Sequence, residues 1–327
     1  MRSLAVGALV AGLALTVALV VYFGAEAVAG ALRAAGLVGL LAISLLHLVA
    51  TTLMGIAWWL LVPRTGATRP WLFLWGRLMR DSGSEILPLS QVGGYVLGAR
   101  ALVLRGVSGA VAAASTLVDV TLELCAQLAF TAVGIGLLIS LRPNTTLAEP
   151  LLFGLGFAMV LVAAFVVVQR RGAHFFERLT ARLAGRWLTT IAARAETVQA
   201  TIHEIHRRRS SLWACFFLHL LAWIWTSGEA WVVLRLMGAP LGIGAVLAIE
   251  SLLYAVRSAA FVVPNALGVQ EGAYIMLGAI FGLPPEMALG LSLLKRGRDL
   301  VLGVPALLAW QVFESRRWWR RLDESGG

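Results

Sequence analysis

The sequence predicts an all-α polytopic membrane protein, a transmembrane helical bundle of about eight spans with two broken or re-entrant segments and a possible internal repeat. Three observations lead there. Of 327 residues, 59% are hydrophobic and 13% charged, against roughly 45–50% and 25% in soluble domains, so too little polar surface exists to cover a soluble fold. Apolar runs long enough to cross a bilayer recur along the chain. The basic residues behind the net charge of +10 gather in short segments between those runs, as in the cytoplasmic loops of membrane proteins. That distribution argues against nucleic acid as a partner.

Each element follows from local pattern. Leu4–Phe23 is the first run. Arg2 and Ala25-Glu26-Ala27 imitate a signal peptide, but the run exceeds the roughly 7–15 residues of a signal h-region and is expected to be retained as a helix. Gly36–Val62 is the second. A basic loop with Arg64 and Arg69 follows, then Trp71–Asp81, which carries Arg77 and Arg80 and reads as interfacial. Asp81-Ser82-Gly83-Ser84-Glu85 is a polar island, either a helix break or part of a substrate mouth. Ile86–Leu104 carries Pro88, Gly93, Gly94, Gly98 and Arg100 and reads as broken, because non-helical backbone at membrane depth needs protein or water to satisfy it. Gly109–Ser140 and Pro150–Val168 are further spans.

Arg170–Arg209 is the largest polar stretch. Phe176, Leu179, Leu183, Trp187, Ile191, Val198, Ile202 and Ile205 recur at helical steps with Arg178, Arg182, Arg186 and Arg194 between them. Such a basic amphipathic helix suits an anionic membrane surface, or packs its apolar face on the protein itself. Runs at Leu212–Met237, Ile243–Val263, Ala266–Phe281 and Glu286–Phe313 complete the set, Ala266–Phe281 being short enough to re-enter. The tail from Arg316 mixes arginine with tryptophan, which suits anionic headgroups. The chain thus reads as one transmembrane domain over 1–315 with a basic tail over 316–327. With the segment near Pro88 entering and leaving on one side, both termini and the basic segments fall in the cytoplasm.

Pro88-Leu89-Ser90-Gln91-Val92-Gly93-Gly94-Tyr95 echoes Pro264-Asn265-Ala266-Leu267-Gly268-Val269-Gln270-Glu271-Gly272. Transporters often consist of two such halves, with substrate held where interrupted helices meet; a chance match of two kinked segments is the alternative. Ionisable residues within apolar runs are costly and tend to face a cavity or a partner. Asp119 and Glu123, four apart, can relay protons or hold cations, or simply meet arginines of a neighbouring helix. Glu250 and Arg257 share a face. Gln270 and Glu271 follow Gly268, and Lys295, Arg296, Arg298 and Asp299 cluster in the final run. With Arg100, these groups either line a polar cavity for a headgroup or lock helices together through salt bridges. His47 and His219 are expected to bond to neighbouring helices. Cys125 and Cys215 lie in apolar runs and form no disulfide framework. No metal, nucleotide or hydrolase spacing is present, so no metal and no cofactor are expected.

Leu87–Tyr95 with Gly98-Ala99-Arg100-Ala101, Gly268–Tyr274 with Phe281-Gly282-Leu283-Pro284, and Leu293–Leu300 with Pro305 and Trp310-Gln311 resemble three motifs of the hopanoid-biosynthesis-associated membrane proteins. These are flippase-like proteins similar to the transmembrane region of lysylphosphatidylglycerol synthase. The chain departs from the wider group in having Gly93-Gly94-Tyr95 where Gly-Glu is usual; Glu271 and Arg298 match the later motifs. The soluble aminoacyl-transferring domain of the synthase has no counterpart in these 327 residues, so synthase activity is not expected. The resemblance implies a lipid transporter of the bacterial inner membrane, with membrane lipids, hopanoids among them, as substrate and hopanoid-pathway proteins as partners. A membrane-embedded enzyme of hopanoid side-chain chemistry, with Asp119 and Glu123 as acid and base, and a scaffold acting through the 170–209 loop are the alternatives.

Overall fold

The computed structural model describes residues 2–325 apart from 66–67, 88–89, 147, 181–185, 240 and 261–262. For 2–9, 90–91, 148, 168, 170–180, 186–194, 313 and 315–325 the description is of backbone alone. The described secondary structure is helical throughout: α1 (Arg2–Tyr22), α2 (Ala25–Leu60), α3 (Pro70–Ile86), α4 (Ser90–Leu104), α5 (Gly109–Leu141), α6 (Ala148–Thr180), α7 (Arg186–Arg207), α8 (Arg209–Leu236), α9 (Ile243–Ala259), α10 (Val269–Ile280) and α11 (Pro285–Ser325). A single 3-10 turn covers Pro264–Ala266.

The start signals are those the backbone requires. Pro70 and Pro285 open α3 and α11, where the missing N–H costs nothing. The Ser108 hydroxyl accepts from Val111 N at 3.3 Å and caps α5. Gly36 interrupts α2 with φ 56° and ψ −160°, and α2 extends the expected second span back to Ala25.

Among the described residues four helical segments are long and apolar enough to cross a bilayer: Ala25–Leu60, Gly109–Leu141, Glu149–Val167 and Arg209–Leu236. The other expected spans are of different kinds. α11 is long, but Lys295, Arg296, Arg298 and Asp299 interrupt its apolar run. α10, at 12 residues, reaches about 18 Å, well short of a hydrocarbon core of about 30 Å. α3, α4 and α9 have 17, 15 and 17 residues, or about 22–26 Å each. The protein is a helical membrane bundle that combines spanning helices with shorter ones.

Two cores hold it. Ile43, Ile135, Leu138, Val233, Leu252, Tyr274 and Leu291 are buried together where α2, α5, α8, α9, α10 and α11 meet. Trp58, Phe73 and Leu102 join α2, α3 and α4, with Trp58 edge-on to Phe73 at 5.5 Å. Apolar surface also faces outward: Phe153 and Phe157 on α6 stand 78% and 67% exposed. No residue of the α6 spanning window is buried. An apolar helix face of that extent is stable against acyl chains, not water.

The region expected to be interfacial, Trp71–Asp81, belongs to α3, and apart from the exposed Trp71 much of it is buried against other helices. Arg77 and Arg80 are 5% and 3% exposed, because acidic partners on α5 neutralise them. The polar island Asp81–Glu85 continues α3 without a break. Gly93, Gly94 and Gly98 are likewise helical, within α4. α3 ends at Ile86, with Leu87 in an extended conformation, and α4 starts at Ser90; Pro88 lies outside the described residues. The glycines serve close packing. A Cβ on Gly94 would lie 2.0 Å from Ser84 Oγ and 2.5 Å from Arg80 O, and one on Gly98 2.9 Å from Gly76 O. Small residues four apart let two helix backbones approach. Gly94→Ala is therefore expected to force α3 and α4 apart and cost about 1–3 kcal/mol, lowering the thermal midpoint in detergent. Gly272→Ala meets nothing within 4 Å and is expected to leave the midpoint unchanged.

The described end of the 170–209 segment packs on the protein. Ile202 and Ile205 are buried with Ala57, Leu61, Ala114, Val118 and Cys215, and Val198 packs against that group. Leu183 and Arg182 lie outside the described residues, and for Phe176, Leu179, Trp187, Ile191, Arg178, Arg186, Arg194 and the tail over 315–325 the description is of backbone alone.

Candidate functional site

Helical spacing gathers the charges onto inward faces. α3 presents Arg77, Arg80, Asp81 and Glu85 at steps of three and four; α5 presents Asp119, Glu123 and Gln127 at steps of four. The two helices meet through a bidentate pair, Arg77 donating to Glu123 at 2.9 and 3.0 Å, the strong form of a guanidinium–carboxylate contact. Arg77 Nε also donates to Asp81 at 3.0 Å. Arg80 donates to Asp119 Oδ2 at 2.7 Å, contacts Glu123, and stacks over the Tyr95 ring at 4.4 Å. Asp119 Oδ1 bonds to His219 Nε2 on α8 at 2.9 Å, with Cys215 Sγ at 3.8 Å. These three ligand-type atoms lie within 4.8 Å of one another. They are metal-ligand types that no sequence spacing announced, but the second Asp119 oxygen is taken by Arg80.

A second cluster joins α2, α8 and α11. Arg298 Nη1 donates to Glu229 Oε2 at 3.1 Å, while its Nε and Nη2 hold Asp299 at 3.0 and 2.7 Å. His47 Nδ1 lies 3.3 and 3.2 Å from the two Glu229 oxygens. A third contact joins the two broken segments. Arg257 Nη2 donates to both Glu85 oxygens at 2.9 Å and to Asn265 Oδ1 at 3.2 Å, and Asn265 Nδ2 donates to Glu85 O at 2.7 Å. The end of α3 thus touches the turn after α9. Asn265 and Ala266 sit there at φ 49° and 45°, a strained conformation for non-glycine residues.

Between these clusters lies a cavity of about 290 Å³. Its polar wall includes Arg77, Asp81, Glu85, Glu123, Arg257 and Asp299. His47, Arg80, Tyr95, Gln127, Tyr254 and Arg298 also reach it.

The model of the lysylphosphatidylglycerol synthase transmembrane region matches residues 9–306. The chain belongs to that family. No curated protein and no solved structure matches the chain.

Of the residues expected to form the site, the cavity takes some and leaves others. Glu123, Arg257, Arg298 and Asp299 line it, and Asp119 stands behind Arg80. Both α5 carboxylates meet arginines of a neighbouring helix, the second of the two readings open for them. Glu250, Lys295, Gln270, Glu271 and Arg296 lie apart from it. Lys295 Nζ donates to Glu250 at 2.5 Å and Tyr274 to the same carboxylate at 2.6 Å. Arg296 holds Glu271 at 2.6 and 3.1 Å; the Ser292 hydroxyl donates to Glu271 and accepts from Gln270. Glu271 Oε2 also accepts from Gly268 N at 2.8 Å, fixing the start of α10. Arg100 is remote, its side chain 57% exposed and paired with Glu314.

Arg77, Arg80 and Glu229 carry much of the site, yet the sequence marked the first two as interfacial and did not single out Glu229. Charge sign had the signal: two arginines three apart on one short helix need carboxylates, and Asp119 with Glu123 supply the matching spacing.

Proposed function

We propose that the protein moves a polar-headed lipid, a hopanoid or a related one, across or within the bacterial inner membrane as a flippase-like transporter, with the headgroup in the cavity between the two broken segments. The observation that carries this is the meeting of those segments at Glu85, Arg257 and Asn265 on the wall of a charged cavity. Interrupted helices that meet around a polar site are the common construction of transporter sites. The volume, at the lower end of ligand pockets of about 300–1,000 Å³, suits a headgroup and leaves acyl chains outside, against apolar faces such as that of α6. The enzyme reading is favoured less, because its two carboxylates are already engaged, Glu123 by Arg77 and Arg80 and Asp119 by Arg80 and His219.

Vesicle reconstitution with a fluorescent lipid, quenched from outside by dithionite, tests it. Wild-type protein is expected to expose inner-leaflet label. Asp81→Asn, which keeps the shape but removes a carboxylate from the cavity wall, is expected to slow that exposure severalfold. Arg100→Gln, at an exposed pair of small energetic weight, is expected to match wild type. Wild-type protein that exposes no label refutes transport, and undiminished movement by Asp81→Asn removes the cavity from it. Mass spectrometry of co-purified lipid decides whether a hopanoid is the cargo.

A further inference from the structure

The buried charges can be counted cluster by cluster. Lys295 with Glu250, Arg296 with Glu271, and Arg257 with Glu85 are one-to-one pairs and internally neutral. Arg77 and Arg80 share three carboxylates, Asp81, Asp119 and Glu123, but the histidine of that cluster, His219, is fully buried and does not line the cavity. Arg298 also serves two carboxylates, Glu229 and Asp299, and the histidine beside it does line the cavity. That cluster is short of one positive charge. Glu229 is fully buried and its remaining contact is His47. An uncompensated charge in a low-dielectric interior costs several kcal/mol, and histidine is the side chain whose charge changes near neutral pH.

His47 is placed to supply that charge and to give it up. It sits on α2, with 20% of its side chain exposed, and lines the cavity. Its Nδ1 faces Glu229, so the Nδ1–H stays as donor to that carboxylate and Nε2 is the nitrogen that gains and loses a proton. Every element around it contributes charge or a titratable group: Glu229 from α8, Arg298 and Asp299 from α11, Arg77, Arg80, Asp81 and Glu85 from α3, Tyr95 from α4, Glu123 from α5, and Tyr254 with Arg257 from α9. The arginines are engaged by carboxylates, so none is spare to neutralise Glu229 when Nε2 is deprotonated.

Resting on the transport reading above, we propose that His47 is the proton-exchanging residue of the cavity and couples lipid movement to the proton gradient. With His47 protonated, the Arg298 cluster is neutral and the cavity is at rest. A headgroup that brings positive charge replaces that proton, which leaves Nε2 for water in the cavity. Departure of the headgroup restores the demand for a proton. Headgroup and proton therefore alternate in one site.

The test uses the full chain in vesicles of phosphatidylethanolamine and phosphatidylglycerol with an acyl-labelled fluorescent phosphatidylethanolamine and dithionite quenching. Wild-type protein should move label severalfold faster under an imposed pH gradient than without one. His47→Gln should move it at one rate in both conditions. A wild-type rate indifferent to the gradient, or a full gradient response in His47→Gln, overturns the proposal. If wild-type protein moves no label, the transport reading fails separately. The proton site is then decided by nitrogen NMR of histidine-labelled protein in nanodiscs: the resonance missing from His47→Gln must lose its added proton when ethanolamine is supplied as a cationic headgroup, and one that keeps a single state overturns the assignment.

Discussion

Glu123→Gln is expected to destabilise the folded protein by about 3–5 kcal/mol, the cost of breaking a buried ion pair by removing one partner. Glu123 accepts both terminal nitrogens of Arg77 and also contacts Arg80, and the two arginines are 5% and 3% exposed. Without the carboxylate, Arg77 keeps Asp81 and Arg80 keeps Asp119, but the Glu123 face of each guanidinium is left dry and unpaired. Reversible unfolding in mixed detergent measures the loss. Glu123→Gln combined with Arg77→Gln removes one charge of each sign and should recover part of it. A double variant as unstable as the sum of the two single ones would mean that the pair is not coupled. The effect is structural: α3 is a short polar helix, and its arginines are what tie it to α5.

The largest effect on activity is expected at the junction of the broken segments. Glu85→Ala removes the two carboxylate oxygens that Arg257 holds, leaving it only Asn265 Oδ1, and so cuts the tie to α3 that runs through Arg257 while the Asn265 bond to the residue-85 carbonyl remains. Lipid movement should fall at least about tenfold, equivalent to about 1.4 kcal/mol of barrier. Stability should change by about 1 kcal/mol or less, since the pair is partly exposed, 12% for Arg257 and 23% for Glu85. Exchanging the two residues, Glu85→Arg with Arg257→Glu, should restore part of the rate if the tie between segments is what matters. Vesicle transport and thermal melting, run on the same preparations, separate the two quantities. Glu85→Ala at wild-type rate would dismiss the junction as a working part.

Much of the bundle was legible because lipid imposes a one-dimensional constraint. A run that must satisfy its own backbone in hydrocarbon declares itself by length and apolarity, and α5, α6 and α8 follow the expected limits closely, whereas α2 begins at Ala25, well before the expected Gly36. The short elements were less legible. α3 mixes arginine, tryptophan and serine, a composition that fits the headgroup region equally well when its neighbours are unknown. Gly94 and Gly98 looked like breakers, whereas in a helix pressed against Ser84 and Gly76 they are spacers. Periodicity cannot tell these apart, because both uses ask for a missing Cβ.

The same division holds for the candidate site. Composition and pattern alone determined that the chain is a helical membrane protein, that Pro- and Gly-interrupted segments recur in it, and that its intramembrane charges need partners. Only the tertiary structure decided which partners. It gave Asp119 and Glu123 to α3, sent Glu250, Lys295, Glu271 and Arg296 into locking pairs, put Arg100 outside, and brought Glu85 to Asn265 across 180 positions of chain. The physical reason is that a buried charge specifies only the sign and reach of its neighbour. Several opposite charges here meet that requirement, and packing of the helices selects among them.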